Sequence, residues 1–286
     1  MLRSLSLARF LTRSSITTCN RFMSSDSQPL TLCTQENGIR RIVLNNPSKR
    51  NALSFALMES LKDNILRGVK EESLRVIIIS ANGPVFCSGH DLQELISKHR
   101  RSDHANIFHL CSDIMELVQD VPVPVVCEVG ALATAAGCQL VASCDIAVAS
   151  QHAKFCTPGV NIGLFCSTPA VALGRAVPRK LALDMLFTGK VIDAEDALAH
   201  GLVSRLVDHD KLHDEVMSIA EGICEKSRSV IAMGKASFYR QIVKDRNSAY
   251  QDASNIMVEN LCLHDGQEGI KAFLNKTKPK WDHSLD

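Results

Sequence analysis

Net charge is the first thing this sequence lacks. Its 32 Lys and Arg stand against 31 Asp and Glu, which leaves +1 over 286 residues. Such a balance carries no electrostatic footprint for nucleic acid or an anionic membrane, so no nucleic-acid partner is expected. Long apolar runs are missing too. None approaches the ~20 residues that a membrane span needs. The eleven cysteines form no pattern: they are scattered, odd in number and never spaced C-x-x-C. Neither a disulfide framework nor a zinc site is read from them, and no metal is expected. Cys87, Cys127, Cys138 and Cys144 sit in apolar stretches, where a reduced, buried thiol is expected.

Acidic residues are absent from residues 1–25, which hold Arg3, Arg9, Arg13 and Arg21 among many Ser and Thr. Leu2, Leu5, Leu7, Ala8, Phe10 and Leu11 can form one apolar helical face. That is the make-up of a mitochondrial transit peptide, so a matrix location is expected and the segment is excluded from the fold.

What the chain does have is centred on Val121–Ser150. Pro122 and Pro124 favour extended backbone, and Val123, Val125, Val126 and Val129 then read as a buried strand. Gly130 to Gly137 is a loop of small residues, which lets another backbone or a ligand approach. A helix over about Ala135–Ser143 follows, whose first-turn N–H groups favour negative charge.

Around this stretch strands and helices alternate. Asn37-Gly38 between Leu30–Gln35 and Ile39–Asn45 signals a hairpin. Ser54 caps a helix to about Val69, with Ala56, Leu57, Leu61, Ile65 and Leu66 inward. Arg75–Ser80 is a continuous apolar run suited to a strand buried on both faces. His104–Gln119 is a helix with Ile107, Leu110, Ile114, Leu117 and Val118 inward. Short strands and helices follow to Val207, and from His209 everything reads as helix. The expected divisions are therefore a core over residues 26–208 and a helical region over 209–286. Alternation argues for parallel β structure with helical crossovers. Both a doubly wound sheet and a spiral of β-β-α turns satisfy it, and periodicity does not separate them.

Two motifs carry possible chemistry. Ser88-Gly89-His90-Asp91 and Ala135-Ala136-Gly137 each lie at a strand-to-helix turn. Two such helix starts can aim a pair of backbone N–H groups at one point, forming an oxyanion hole. The same small residues also serve plain helix–sheet packing, and neither motif is specific.

In combination the residues resemble the enoyl-CoA hydratase/isomerase superfamily, with its crotonase fold. The resemblance rests on five runs in order: Asn46-Pro47 with Asn51-Ala52-Leu53; Phe86 to Leu92; Pro124 to Ile146; Leu186 to Gly189; and Asp193-Ala194-Glu195 with Gly201-Leu202-Val203. It implies an α/β spiral of β-β-α turns, a C-terminal helical trimerisation region and a homotrimer or hexamer. It also implies an acyl-CoA ligand, with no covalently bound cofactor. The backbone amides of His90 and Ala136 would form the oxyanion hole. Lys49, Asn51, Ala52, Leu53, Ser88, Gly89, Asp91 and Leu92 would line the CoA channel, with Phe273 and Lys276 of the tail.

Two departures from that family matter. Hydratases of the family carry two glutamates, and their positions fall here on Gln139 and Gly159. A carboxamide accepts no proton at pH 7 and glycine has no side chain, so standard hydration lacks its acid and base. The expectation is an acyl-CoA-binding protein of mitochondrial fatty acid metabolism. An active hydrolase, decarboxylase or atypical hydratase using the oxyanion hole is the alternative, followed by an assembly or RNA-associated subunit. Of the other polar groups, a His90 imidazole that caps or faces solvent is favoured over one acting as base. Glu128 is read as a surface or interface acid, Asp145 as structural, and Cys138 and Cys156 as lacking an activating base.

Overall fold

The computed structural model describes residues 28–284. The transit peptide expected over residues 1–25 lies outside them. Strands β1 (Thr31–Glu36) and β2 (Ile39–Leu44) form the expected antiparallel hairpin. Asn37 (φ 50°) and Gly38 (φ 84°) both take left-handed backbone, as a two-residue turn of this kind requires.

From β2 the chain spirals. Strands β3 (Val76–Ala81), β5 (Val125–Val129), β7 (Ile146–Ser150) and β10 (Arg205–Val207) extend a six-stranded sheet in the order β1-β2-β3-β5-β7-β10. Strands β4 (Val85–Cys87), β6 (Leu132–Thr134), β8 (Lys154–Cys156) and β9 (Ile192–Asp193) build a second, four-stranded sheet. The pairs β3/β4, β5/β6 and β7/β8 each leave one strand in each sheet. This is the spiral and not the doubly wound sheet.

One expectation is corrected here. Gly130–Gly137 is not all loop, because β6 lies within it and pairs with β4 and β8. Three residues are too few for an alternating pattern to show in sequence.

The helices are α1 (Phe55–Leu66), α2 (Leu92–Ser97), α3 (Arg101–Asp120), α4 (Ala136–Ser143), α5 (Ser167–Ala176), α6 (Arg179–Thr188) and α7 (Ala194–Ala199). Four more form the tail: α8 (Leu212–Cys224), α9 (Arg228–Gln241), α10 (Arg246–Cys262) and α11 (His264–Leu274). Ser54 caps α1 by accepting from the Leu57 amide. Its buried face is turned slightly from the expected one, with Met58 buried and Ala56 exposed. The expected inner face of α3 is buried as read.

Both faces of β3 are covered. Ile77 and Ile79 join the main core with α1 and α3, and Val76 and Ile78 join Leu212, Val216, Ile219 and Ala220 of α8. That explains the uninterrupted apolar run in β3. Among the described residues no helix is long and apolar enough to cross a membrane.

A buried ion pair fastens the tail to the spiral. Lys235 of α9 donates to the carbonyls of Val118 and Val123 (2.8 and 2.9 Å) and to Asp145 Oδ2 (2.6 Å). Tyr239 donates to Asp145 Oδ1 at 2.7 Å, and the Val125 amide donates to Oδ2 at 2.7 Å. The structural reading of Asp145 fits this network. Burial lowers the Lys235 pKa, and Asp145 opposes that shift. Replacing one partner leaves the other buried and short of its counter-charge. Lys235→Met is therefore expected to cost about 3–5 kcal/mol in urea unfolding. A loss below about 1 kcal/mol, the range of an exposed pair, would refute the role given to this pair.

Candidate active site

The site is built where two strand-to-helix turns meet. Strand β4 ends at Cys87, and the turn Ser88–His90 leads to α2. Gly89 has φ +86°, and a Cβ there would meet Ala135 Cβ at 2.9 Å and the Ala136 nitrogen at 3.5 Å. A Cβ on Gly137 would meet the Cys87 carbonyl oxygen at 2.6 Å. The two glycines thus let the backbone of one turn lie directly on the first turn of α4.

Hydrogen bonds fix both sides of this contact. The Leu53 amide donates to the Gly89 carbonyl (2.8 Å), and the Ala135 amide donates to the Cys156 carbonyl (2.9 Å). Ala135 sits at φ +52°, ψ −117°, a conformation that costs a residue with a Cβ on the order of 1–3 kcal/mol. Among the described residues neither the His90 nor the Ala136 amide has an acceptor in the chain.

The loop before α1 is latched to the same turn. Asn51 is fully buried: its Oδ1 accepts from the Asn46 amide, and its Nδ2 donates to the carbonyls of Asn82 and Val85. Leu53 is buried and bridges to His90. Asn51 and Leu53 were expected to line a channel. Both are buried, and the hydrogen bonds of Asn51 hold a loop whose backbone is left-handed at Arg50 and Asn51. Ala52 is buried as well.

Lys49 and Leu92 are exposed, and Ser88 and Asp91 are half-buried. Lys49 Nζ pairs with Asp91 Oδ2 at 3.2 Å, while Asp91 Oδ1 caps α2 through the Gln93 and Glu94 amides. Partial burial pushes the Asp91 carboxyl up, but the Glu94 amide and Lys49 together outweigh it and hold its pKa below the ordinary value. Phe273 is four-fifths exposed near the end of α11, which packs on α9 and α10. Among the described residues no hydrogen bond or ion pair ties Phe273 or Lys276 to this site.

Gln139 and Gly159 differ in kind. Gln139 is buried on α4, and its Oε1 lies 4.0 Å from the Cys111 thiol of α3. Gly159 has no room for any side chain. A Cβ there would fall 2.4 Å from the Leu164 carbonyl oxygen and 2.8 Å from Cys166 Sγ. The Leu164 amide donates back to the Gly159 carbonyl at 2.9 Å, so the loop has closed over this position.

The His90 ring departs from expectation. It neither caps a helix nor faces solvent. It packs edge-on against Phe108 of α3 at 5.0 Å, and its buried nitrogens make no hydrogen bond of ordinary geometry, with the Leu53 backbone as their polar neighbour. Desolvation lowers its pKa, against opposing contributions from the Leu53 backbone and Glu94. Phe108 and Cys111 are one helical turn apart, so His90 and Gln139 address the same stripe of α3. Reading only the main inward stripe of α3 in sequence misses this second one.

The thiols nearby are inert. Burial pushes Cys87 and Cys111 up to about 12 and raises Cys138, Cys156 and Cys166 as well. Glu128 is not a surface acid. It is largely buried and pairs with Arg41 at 2.8 Å, on a side of the sheet shared with His213 of α8.

A spiral of this topology, with two unpaired amides at the meeting of its strand-to-helix turns, defines a class. Residues 34–284 match the enoyl-CoA hydratase/isomerase family, and the chain belongs to it. It is similar to the mitochondrial enoyl-CoA hydratase domain-containing protein 3 of Xenopus laevis, 57% identical over 93% of this chain and 92% of that one. It is equally similar to the human protein of that name, 57% identical over 91% and 85% of the two chains. The crystal structure of human enoyl coenzyme A hydratase domain-containing protein 3 superposes with a TM-score of 0.87, covering 89% of this chain and all of that one. An enoyl-CoA hydratase structure from Mycobacterium smegmatis gives 0.87 at 45% identity, covering 89% and 99%. The chain is a mitochondrial member of the family, as its relatives' names and its arginine-rich first residues agree.

The closed loop at Gly159 yields a prediction. Introducing a carboxylate by Gly159→Glu is expected to lower stability by at least about 1–3 kcal/mol through overpacking, and to bring no gain in hydration of crotonyl-CoA. Thermal unfolding together with a hydration assay checks both. A stable variant with new hydratase activity would refute the closed-loop account.

Proposed function

We propose that this protein binds acyl-CoA thioesters in mitochondrial fatty acid metabolism and is not a standard enoyl-CoA hydratase. Support for the reading comes from the close contact of the Ser88–His90 turn with the start of α4, where neither the His90 nor the Ala136 amide has a backbone acceptor among the described residues. A thioester oxygen fits that position, and each donor of such a pair is worth on the order of 10²–10³ in rate. Lys49, Ser88, Asp91 and Leu92 line the approach for CoA. Asn51, Ala52, Leu53 and Gly89 shape the loop and turn from within.

Hydration needs a group to activate water and a group to handle the α-proton. Gln139 and Gly159 supply neither. Loss of a positioned acid or base costs about 10²–10⁴ in rate. The CoA thioester is the ligand or substrate, with no other cofactor in this reading.

The remaining divisions of the chain belong to the same proposal. Residues 1–25 direct the protein to the matrix, residues 26–208 bind the thioester, and residues 209–286 join subunits into a trimer or hexamer. Support for assembly is the exposed apolar surface of the tail, which includes Phe238, Ile242, Val243, Tyr250, Phe273 and Leu274. Phe273 and Lys276 reach CoA in this assembly, from the tail.

The test uses one ester and one reaction. But-3-enoyl-CoA is expected to raise the melting temperature in a concentration-dependent way. Crotonyl-CoA hydration is expected to run at least about 10²-fold slower than in a family member with both glutamates. Absence of a thermal shift would remove the binding reading, and hydration at the two-glutamate rate would remove the claim about chemistry.

A further inference from the structure

We propose that the His90 imidazole is the general base of this site, taking the α-proton of an acyl-CoA thioester whose oxygen is held by the amides of His90 and Ala136. The proposal rests on the acyl-CoA reading above and adds to it a reaction step and the residue that performs it.

The geometry argues for this in three ways. First, the ring is packed on Phe108, and the Leu53 backbone is the one polar group of the chain acting on it as a hydrogen-bond neighbour, with neither nitrogen in a hydrogen bond of ordinary geometry. Buried polar groups are nearly always satisfied, so an imidazole held this way points to a partner that arrives from outside the chain. Second, ring and amide belong to one residue. The amide fixes the thioester oxygen, so the ring hangs within one side-chain length of the adjoining acyl carbons. Third, His90 and Gln139 face the same stripe of α3, at Phe108 and Cys111. The imidazole thus stands beside the position where a family hydratase has its first glutamate.

The surroundings keep the ring neutral and unrivalled. Desolvation lowers its pKa below the ordinary value, so a lone pair is available at pH 7. From β4 and α3, Cys87 and Cys111 present neutral thiols. From α4, Gln139 presents a neutral carboxamide. From α2, the Glu94 carboxylate is engaged by the Phe55 amide and Lys98, and Asp91 by its cap and Lys49. His104 of α3 is engaged with the Leu95 carbonyl.

The step balances without another reactant. The α C–H bond breaks, the proton goes to a ring nitrogen, and the electron pair moves into the thioester carbonyl to give an enolate. Return of a proton from the ring regenerates the ester. One base without a second acid suits proton exchange and double-bond migration better than addition of water.

The experiment follows deuterium uptake from D2O at the α-carbon of but-3-enoyl-CoA by mass spectrometry, using full-length protein. Uptake is expected to rise with pH to a plateau, with its midpoint below the ordinary histidine value of about 6.5. His90→Gln keeps both amides, so it should retain the thermal shift with the ester while uptake falls at least 100-fold and loses its pH dependence. His90→Ala should recover part of the rate with added imidazole, and this variant decides the matter if the glutamine variant does not fold. Wild-type uptake in His90→Gln, no uptake by a wild-type protein that binds the ester, or no imidazole rescue of a folded His90→Ala overturns the proposal. Absence of ester binding in the wild type overturns the acyl-CoA reading itself.

Discussion

The candidate site depends on one close contact, between the backbone of the Cys87–His90 turn and the first turn of α4. It is made twice, by Gly89 lying on Ala135 and by Gly137 lying on Cys87. Any Cβ at either position would force the turns apart. The spiral places successive strand-to-helix turns side by side along one sheet, because β4 and β6 are parallel neighbours. The hydrogen bonds from Leu53 to Gly89 and from Ala135 to Cys156 then fix the turns from opposite sides. The strained backbone at Ala135 is held by this framework and turns the chain into α4.

Gln139 and Gly159 are held in physically different ways, and the difference bears on the histidine. Gln139 keeps the volume of a glutamate and stays packed in the interior, so the shape of α4 against α3 is preserved. At Gly159 the Leu164 backbone occupies the space a side chain would need, and the Leu164 amide donates to the Gly159 carbonyl. With no carboxylate at either place, little opposes the desolvation of the His90 ring beyond the Leu53 backbone and the field of Glu94. A glutamate in place of Gln139 would favour the imidazolium. A neutral side chain at Gln139 and a lowered His90 pKa are therefore mutually consistent.

Much of this was legible in the sequence where the signal was local. Asn37-Gly38 marked the hairpin, Ser54 the helix cap, and the apolar run of β3 its two-sided burial. Periodicity left open how the strands were arranged, and the resemblance to a family, carried by runs such as Phe86 to Leu92, was needed to choose the spiral. Strands β6 and β9 were missed because segments of two and three residues show no period. The His90 ring was misplaced because its environment comes from Phe108, eighteen residues on, and from a secondary stripe of α3. The buried hydrogen bonds of Asn51 were not legible because a polar residue in a loop beside a ligand channel and one that satisfies buried backbone look alike in sequence. Only the partners at Asn46, Asn82 and Val85 separate the two.

The tail is tied to the site by the same economy of contacts. Lys235 reaches the carbonyls of Val118 and Val123 at the entrance to β5, and Asp145 just after α4. The β5–β6–α4 unit between these points carries both Ala136 and Gln139. One ammonium group therefore clamps the two ends of that unit, and Asp145 reinforces the clamp by accepting from the Val125 amide. Because the charges are largely buried, loosening the pair from the tail side exposes an uncompensated carboxylate at the base of the unit. Displacement there would pass through a short, tightly packed helix to the amide of Ala136, since no gap at Gly137 could absorb it. Through this clamp the helical tail helps to hold the unit that carries Ala136 and Gln139.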